Sequence, residues 1–248
     1  MPIRFEFAGR KVILTGAAGD IGSRILEGFL DSGAKVFATD RAGERLDALE
    51  GPPDRLKKAP CDLTKVANIR QTMRGALEWL GGCDVLLNVA GYMPIRETLG
   101  LTEEDWSDVL GVNLLAPYFA IQETVEALKA SPSGRIISFS SIAGKMGGIG
   151  PNIHYSAAKA GLLAMTFNLA RELAKTGVTV NCVLPGPADT GLHFESPPDM
   201  LSKAEKAHPL GRLTVPGDVW PAVLFLASEE AGHINGEALD VNGGFWTD

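Results

Sequence analysis

Seven short runs of apolar or β-branched residues alternate with helical patterns along this chain, and this alternation restricts its fold more than any other feature. The runs occupy residues 12–14, 35–39, 56–60, 85–88, 135–139, 178–184 and 238–241. Between them, apolar residues recur with helical periodicity over residues 21–30, 67–80, 103–129, 155–175 and 216–227. Strands that alternate with helices are typical of a parallel sheet with helices on both faces. The sequence therefore predicts a doubly wound α/β fold with a seven-stranded parallel sheet.

No repeat or low-complexity linker divides the 248 residues, and a hydrophobic content of 45% suits one large core. We therefore predict a single domain over residues 1–248. One irregular stretch runs from Pro185 to about Leu213 and is rich in Pro, Gly and His. Because so long a connection inside a compact domain is usually functional, we predict a substrate lid at residues 187–213.

The charge pattern excludes several classes of partner. The formal net charge is −7, and no block of Lys and Arg offsets it, so neither nucleic acid nor an anionic membrane is an expected partner. The first residues contain Glu6 and soon reach Arg10 and Lys11, a pattern unlike a signal peptide or a membrane span. We therefore expect a cytoplasmic protein.

The cysteines and histidines give no sign of a metal centre. Three cysteines lie in or beside apolar runs without ligand spacing, and we predict that they are buried free thiols. The four histidines also lack ligand spacing, so no metal is predicted.

A glycine-rich turn, Thr15-Gly-Ala-Ala-Gly-Asp-Ile-Gly22, joins the first predicted strand to the first predicted helix. Small residues let the backbone approach a pyrophosphate, and a helix N-terminus offers free N–H groups to it. The second strand leads into Asp40, 18 residues after Gly22. A carboxylate there can bind both ribose hydroxyls of NAD and would repel the extra phosphate of NADP. We predict NAD as cofactor; Arg41 leaves some room for NADP, and Asp40 could instead cap a helix over residues 42–49.

Ser141, Tyr155 and Lys159 form a candidate acid–base group. Tyr155 and Lys159 are four residues apart, so on a helix they share a face and the cation favours the phenolate form of the tyrosine. A serine on the opposite wall could hydrogen-bond a substrate oxygen, as acid–base chemistry at an alcohol or carbonyl requires. Taken alone, the Tyr and Lys could equally be an ordinary surface pair.

With these features joined, the chain resembles the short-chain dehydrogenase/reductase family over nearly its whole length. The resemblance is carried by the glycine turn, Cys61-Asp62-Leu63, Asn88-Val-Ala-Gly91, Asn113, Ser140-Ser141, Tyr155 to Lys159, Pro185-Gly186 and Val241-Asn-Gly-Gly244. It implies a Rossmann-type fold with Tyr155 as acid/base and Lys159 binding the nicotinamide ribose and lowering the phenol pKa. It also implies that Ser141 orients the substrate and that Asn113 holds a water of a proton relay.

The resemblance further implies a set of cofactor-binding residues. They are Gly16, Gly19, Asp20, Ile21, Gly22, Asp40, Arg41, Asp62, Leu63, Asn88, Ala90, Gly91, Tyr155, Lys159, Pro185, Gly186, Ala188 and Thr190. In this set Asp62 would reach the adenine, and the Ala188 backbone and Thr190 hydroxyl would hold the carboxamide. A homotetramer formed through the helices at 103–129 and 155–175 and the C-terminal segment is also implied.

Two positions depart from the short branch of the family, which usually has glycine at Asp20 and often asparagine at Val89. The spacing of Gly16, Gly19 and Gly22 instead matches the extended branch, which contains epimerases and dehydratases. Extended members usually need a substrate domain beyond 248 residues, so we predict the short branch. Asp20 is expected either to cap the first helix or to weaken cofactor binding.

The expected function is NAD-dependent oxidation of a secondary alcohol, of the sugar, polyol, hydroxy acid or cyclic alcohol class, or reduction of its ketone. The residues at 92–95 and 191–195 suggest a pocket with much apolar surface for a small-molecule substrate. Three alternatives stay open: an NADP-linked 3-oxoacyl or ketone reductase, an NAD(H)-binding protein without turnover, and an epimerase or dehydratase. The acidic net charge argues mildly against a reductase that works on an acidic carrier protein.

Overall fold

A computed structural model of the chain describes residues 5–41, 43–148, 150, 152–188, 190–191 and 198–247. Its centre is a seven-stranded sheet with the order β3-β2-β1-β4-β5-β6-β7, and every pair of neighbours is parallel. The strands are β1 (Lys11–Thr15), β2 (Lys35–Asp40), β3 (Leu56–Pro60), β4 (Val85–Asn88), β5 (Arg135–Phe139), β6 (Thr179–Pro185) and β7 (Ala238–Val241). The predicted single-domain, doubly wound Rossmann-type fold is confirmed.

Helices cover both faces of the sheet. They are α1 (Asp20–Asp31), α2 (Glu44–Asp47), α3 (Val66–Leu80), α4 (Glu103–Leu110), α5 (Ala116–Ala130), α6 (Ala143–Met146), α7 (Ile153–Leu173), α8 (Pro198–Ala207) and α9 (Pro216–Ala227). Successive residues of a strand face opposite sides, so Val12 and Leu14 pack against α1 and α9, while Ile13 packs in the layer formed by α3, α5 and α7. Burial of these apolar faces stabilises the layered core.

The helix predicted over residues 103–129 is interrupted, and this part of the prediction is wrong. A π-helical turn, Gly111–Leu115, separates α4 from α5, and Pro117 lies in the first turn of α5. Proline has no N–H, so Pro117 cannot donate to the Asn113 carbonyl four residues earlier. The regular hydrogen-bond pattern therefore cannot continue through Asn113.

The stretch at 187–213, expected to be irregular, contains the ten-residue helix α8. Its described beginning is anchored because Ala188 pairs with Thr214, whose N–H donates to the Pro187 carbonyl over 2.8 Å. Residues 189 and 192–197, which include most of the expected substrate-contacting lid, lie outside the described residues.

Cys61, Cys83 and Cys182 are buried free thiols, as predicted. Within the described ranges, no cluster of three or more His, Cys, Asp or Glu side chains could hold a metal ion. None of the helices in that part of the chain is both long enough and apolar enough to cross a bilayer.

Candidate active site

A cleft opens at the carboxyl edge of the sheet, where the connections from β1 and β4 leave in opposite directions. Thr15 at the end of β1 pairs in register with Asn88 at the end of β4. The glycine turn continues from Thr15, and Ala90 and Gly91 continue from Asn88. Such a switch point is where doubly wound sheets bind ligands.

Two glycines of the turn are required by close backbone contacts. Gly16 has a φ of 71°, and a Cβ on it would lie 2.5 Å from the Ala90 nitrogen. A Cβ on Gly22 would lie 1.9 Å from the Gly16 carbonyl oxygen. Glycine at these positions brings the start of α1 against the ends of β1 and β4, where the free N–H groups of its first turn, at Asp20 and Ile21, favour an anion.

Asp40 places a carboxylate beside this turn. Its Oδ2 accepts a 2.9 Å hydrogen bond from the Ala18 N–H, and its Oδ1 accepts one of 2.7 Å from the Arg41 N–H. The following helix α2 begins after Gly43 without a side-chain cap, so the capping role considered for Asp40 is wrong. Its negative charge is held at the end of β2, where the ribose carboxylate of a dinucleotide site is expected.

Asp20 does not cap α1 either. Its Oδ2 accepts a 2.6 Å hydrogen bond from the Gly191 N–H, and its Oδ1 accepts one of 2.5 Å from Arg45 Nη2. These partners hold the pKa of Asp20 below its ordinary value, with the Gly191 hydrogen bond as the largest cause and burial acting in the opposite direction. Arg45 did not stand out in the sequence, because its partner is 25 residues away.

The adenine end of the expected site contains Asp62 and Leu63. The Asp62 carboxylate accepts hydrogen bonds from the Thr64 hydroxyl and N–H, which lower its pKa. Leu63 is buried and lines a small cavity together with Asn88 and Ala90. The expectation that Asp62 reaches the adenine stays a prediction.

The far wall of the cleft follows β6. The Gly186 N–H donates to the Val241 carbonyl over 3.2 Å, and a Cβ on Gly186 would lie 2.9 Å from the Asn242 Cα. Pro185 ends β6, and beyond it the Thr190 N–H donates to the Ala188 carbonyl over 3.1 Å. The structure therefore places four predicted residues at the same edge of the sheet as the glycine turn: Pro185, Gly186, Ala188 and Thr190.

Ser141 follows β5, whereas Tyr155 and Lys159 lie on α7, and the fold brings all three together. Tyr155 is 5% and Lys159 is 2% exposed, so the alternative of a surface pair is wrong. The Ser141 Oγ accepts a 3.1 Å hydrogen bond from the Ala143 N–H. That leaves the hydroxyl proton of Ser141 available to a second oxygen.

Close packing of α6 on α7 positions this group. A Cβ on Gly144 would lie 2.9 Å from the Lys159 carbonyl carbon, and the Ser140 hydroxyl donates to the Lys159 carbonyl oxygen over 2.9 Å. Gly144 was missed in the sequence because only the tertiary contact shows that no side chain fits there.

The Lys159 ammonium lies between the tyrosine and the end of β5. Its Nζ donates to the Phe139 carbonyl over 2.6 Å and is 5.4 Å from the centroid of the Tyr155 ring. An ammonium has three N–H groups, so two remain for groups in the cleft, such as a ribose diol.

Burial shifts the pKa values of Tyr155 and Lys159 in opposite directions. Burial raises the pKa of Tyr155 to about 12, with a hydrogen bond to Ser141 acting in the opposite direction. Burial also lowers the pKa of Lys159 to about 8. Desolvation of the phenolate outweighs the hydrogen bond to Ser141, so the net shift of the Tyr155 pKa is upward, and a lowering by Lys159 stays a prediction. Burial therefore favours the protonated phenol, a form that can donate a proton.

Asn113 is fully buried, and its side chain is occupied. Its Oδ1 accepts from the Tyr92 N–H at 3.2 Å, while its Nδ2 donates to the Tyr92 and Val109 carbonyls at 2.7 and 2.9 Å. The carboxamide is therefore already satisfied by protein groups, and the expected relay water at Asn113 stays a prediction.

The residues at this edge fit a nicotinamide dinucleotide. The N-terminus of α1 lies between the Asp40 carboxylate and the Lys159 ammonium. The N-terminus suits the phosphates, and the carboxylate and the ammonium suit the two riboses. When bound, such a cofactor supplies or accepts a hydride.

Comparison of the sequence and the fold with those of known proteins agrees with a nicotinamide-binding site. A family profile described as enoyl-(acyl carrier protein) reductase matches residues 16–246. A 3-oxoacyl-[acyl-carrier-protein] reductase FabG from Vibrio cholerae is 35% identical over 240 residues, which cover 96% of this chain and 98% of the relative. Nodulation protein G from Rhizobium meliloti is 34% identical over 241 residues, which cover 97% and 98% of the two chains.

A solved structure shows the same fold. It is titled short-chain dehydrogenase/reductase SDR, glucose/ribitol dehydrogenase, from Brucella melitensis, and it has a TM-score of 0.89 and 31% identity over 99% of this chain and 100% of its own. These proteins have no large domain outside the matched part. The profile and relatives above 30% identity both cover nearly all of this sequence, so the chain belongs to the short-chain dehydrogenase/reductase family.

Proposed function

We propose that this protein is a carbonyl reductase that converts the ketone of a 3-oxoacyl substrate to a secondary alcohol. The observation that carries the proposal is the burial of the Tyr155 phenol in one cleft with Ser141 and Lys159, which favours the protonated form of the phenol. A protonated donor suits reduction, because the carbonyl oxygen must gain a proton as its carbon gains a hydride.

Each residue has a distinct task in this reaction. The Ser141 hydroxyl donates a hydrogen bond to the carbonyl oxygen and orients it. The Tyr155 O–H gives its proton to the same oxygen, and the Lys159 ammonium stabilises the phenolate that is left until solvent returns a proton. A reduced nicotinamide, when bound, would supply the hydride.

The relatives support a reductase rather than the sugar, polyol, hydroxy acid or cyclic alcohol oxidation favoured from the sequence. The Vibrio cholerae relative is named for reduction of 3-oxoacyl groups. NAD-linked alcohol oxidation is a second candidate, because the Brucella melitensis structure is titled a glucose/ribitol dehydrogenase. The same three side chains would then act in the reverse order.

We propose NAD(H) rather than NADP(H) as the cofactor. The support is the Asp40 carboxylate, which is fixed by two backbone N–H groups beside the glycine turn. A negative charge held there would repel the extra phosphate of NADP. The reductase names of the relatives do not include a cofactor, so this preference depends on Asp40.

The test is a spectrophotometric assay in both directions. Purified protein is mixed with NADH or NADPH and a 3-oxoacyl thioester, and separately with NAD or NADP and a panel of sugars, polyols and other secondary alcohols. We expect cofactor oxidation with the thioester, and its loss in Tyr155→Phe while NADH binding persists. Turnover of alcohols alone would favour the second candidate, and full activity in Tyr155→Phe would overturn the mechanism.

We also propose that the protein forms homo-oligomers. Leu115 at the end of the π-helical turn, Tyr118 in the first turn of α5 and Phe167 on α7 are exposed, at 45%, 42% and 39% of their surface. Large apolar side chains in neighbouring helices suit a self-association surface.

A further inference from the structure

Asp20 connects three segments of the cofactor cleft. It begins α1 at the glycine turn, its carboxylate accepts the Gly191 N–H from the segment after β6, and it pairs with Arg45 in α2. Gly191 is 171 residues away in the sequence, and a Cβ on it would lie 3.4 Å from both Asp20 Oδ2 and Arg45 Nη1. The three residues are therefore in direct contact.

The contact crosses the cleft between its two walls. The glycine turn and the start of α1 form one wall, and Gly186, Ala188 and Gly191 lie on the other, where Ala188 is fixed by its pairing with Thr214. A dinucleotide that extends from Asp40 on β2 to Ala188 after β6 must pass between these walls. The Asp20 carboxylate closes the gap at the start of α1, next to the expected position of the pyrophosphate.

Charge makes Arg45 a necessary part of this arrangement. A bare carboxylate beside a pyrophosphate would repel it, whereas an ion pair has no net charge. Arg45 donates a hydrogen bond to Asp20 Oδ1, and Asp20 Oδ2 accepts one from the Gly191 N–H. The pair thus allows an acidic residue at a position where the family usually has glycine.

We propose that Asp20, Arg45 and Gly191 form a clamp that retains the dinucleotide at its pyrophosphate. Asp20 and Arg45 are positioning residues: they hold the Gly191 segment against the glycine turn and slow cofactor release. The clamp rests on the proposed function only in requiring that a nicotinamide dinucleotide binds in this cleft.

The clamp contributes little to folding. The side chains of Asp20 and Arg45 are 34% and 62% exposed, and ion pairs of that exposure stabilise proteins only slightly. Substitution of the pair is therefore expected to leave the fold intact.

The test uses the double variant Asp20→Ala/Arg45→Met, which removes the clamp without changing the net charge. The matched control is Glu126→Ala/Lys129→Met, which removes another exposed ion pair, in α5. Dissociation of NADH is followed by stopped-flow fluorescence, affinities for ADP-ribose and AMP by calorimetry, and exchange of the Gly191 amide by hydrogen–deuterium exchange.

We expect the clamp variant to release NADH about tenfold faster and to bind ADP-ribose about tenfold more weakly, as for loss of one partly exposed hydrogen bond to a charged group. AMP affinity should stay at the wild-type value, because AMP lacks the pyrophosphate, and Gly191 exchange should be faster. The single variant Arg45→Met leaves the Asp20 carboxylate without its cation. At low ionic strength it should therefore weaken NADH binding more than the double variant does, and added salt should reduce the difference between the two variants.

Two results would overturn the clamp alone. One is an NADH release rate equal to that of the wild type and the control variant; the other is equal weakening of AMP and ADP-ribose, which would indicate general damage to the glycine turn. Failure of the wild type to bind NADH or NADPH would overturn the proposed function and the clamp together.

Discussion

Lys159 donates a 2.6 Å hydrogen bond to the Phe139 carbonyl, and no carboxylate in the described part of the chain pairs with it. The site therefore holds a buried cation against a neutral oxygen, and burial lowers its pKa from 10.5 to about 8. The folded state binds fewer protons than the unfolded state between these pH values, so stability should rise as pH increases across that range. Below pH 8 the full cost of burying the charge is present.

Lys159→Met should raise the stability of the protein while it abolishes activity. Near neutral pH the free energy of unfolding of the variant should exceed that of the wild type by up to about 3 kcal/mol, because the cost of desolvating the buried ammonium is removed. The gain should shrink as the pH approaches the ordinary pKa of lysine, and turnover should be lost at every pH. Chemical denaturation of the variant and the wild type at neutral and at alkaline pH measures the difference in stability. An equal loss of stability in the variant at the two pH values would contradict the prediction.

Asp40→Asn tests the cofactor preference. The amide oxygen can still accept the Ala18 hydrogen bond made by Asp40 Oδ2, so the turn should keep its shape while losing a negative charge. We expect the ratio of kcat/KM for NADPH to that for NADH to rise by at least about tenfold, as for removal of one close charge repulsion. A matched control is Asp31→Asn, which removes an exposed carboxylate at the end of α1. An unchanged ratio in Asp40→Asn would exclude Asp40 as the selecting residue.

Asn113→Ala should release the loop that begins at Tyr92. The side chain makes three hydrogen bonds, two of them to the Tyr92 backbone, and all are removed. Buried polar groups left without partners cost about 1–3 kcal/mol each, so the midpoint of thermal unfolding should fall. Since the sequence predicts that residues 92–95 line the substrate pocket, KM for the ketone should rise more than KM for NADH. Equal changes in both constants would argue for a general loss of structure instead.

The apolar runs allowed the strands to be predicted, and four of them, β3, β4, β5 and β7, have the predicted bounds. The runs of β4 and β5 are buried on both faces of the parallel sheet, so the sequence locates them directly, whereas β3 and β7 are only partly buried. The break within residues 103–129 was not predicted, although Pro117 was visible in the sequence. Proline is tolerated in the first turn of a helix, so the periodicity alone did not show where one helix ended.

The spacing of the candidate catalytic residues predicts that they lie together, but their electrostatics were not predictable from the sequence. Tyr155 and Lys159 share a helix face by spacing alone, whereas the rise in the tyrosine pKa comes from burial by distant segments. The Asp20 contact shows the same limit, since Gly191 is separated from it by nearly the whole chain. Local patterns identify the groups, and tertiary packing determines their charge states and partners.

Tyr118→Glu tests the proposed self-association. Tyr118 is 42% exposed at the start of α5, so the monomer should tolerate the change. A buried, unpaired carboxylate at the centre of an interface would oppose assembly. Size-exclusion chromatography with light scattering should show a smaller species than the wild type. Val215→Glu, an equally exposed apolar position just before α9, is the control. A monomeric wild type would contradict the proposal.

His154 is expected to make the fold sensitive to acid. It precedes Tyr155, is fully buried, and packs against the edge of Trp106 with ring centroids 6.1 Å apart. Neither ring nitrogen reaches hydrogen-bond geometry with a described residue. Burial lowers its pKa below the ordinary 6.5; the nearby Asn152 backbone and Asp105 favour the charged form, and Arg96 opposes it.

The sign of the pH dependence follows from this lowered pKa. As the pH falls below about 6.5, the unfolded state takes up a proton that the folded state resists, so the free energy of unfolding should decrease. His154→Phe keeps a ring beside Trp106 and removes both unbonded nitrogens, so it should weaken this decrease and stabilise the protein most at acidic pH. Thermal unfolding over a pH series measures the effect, with His233→Phe as an exposed control. If His154→Phe and the wild type lost stability in parallel on acidification, another group would be responsible.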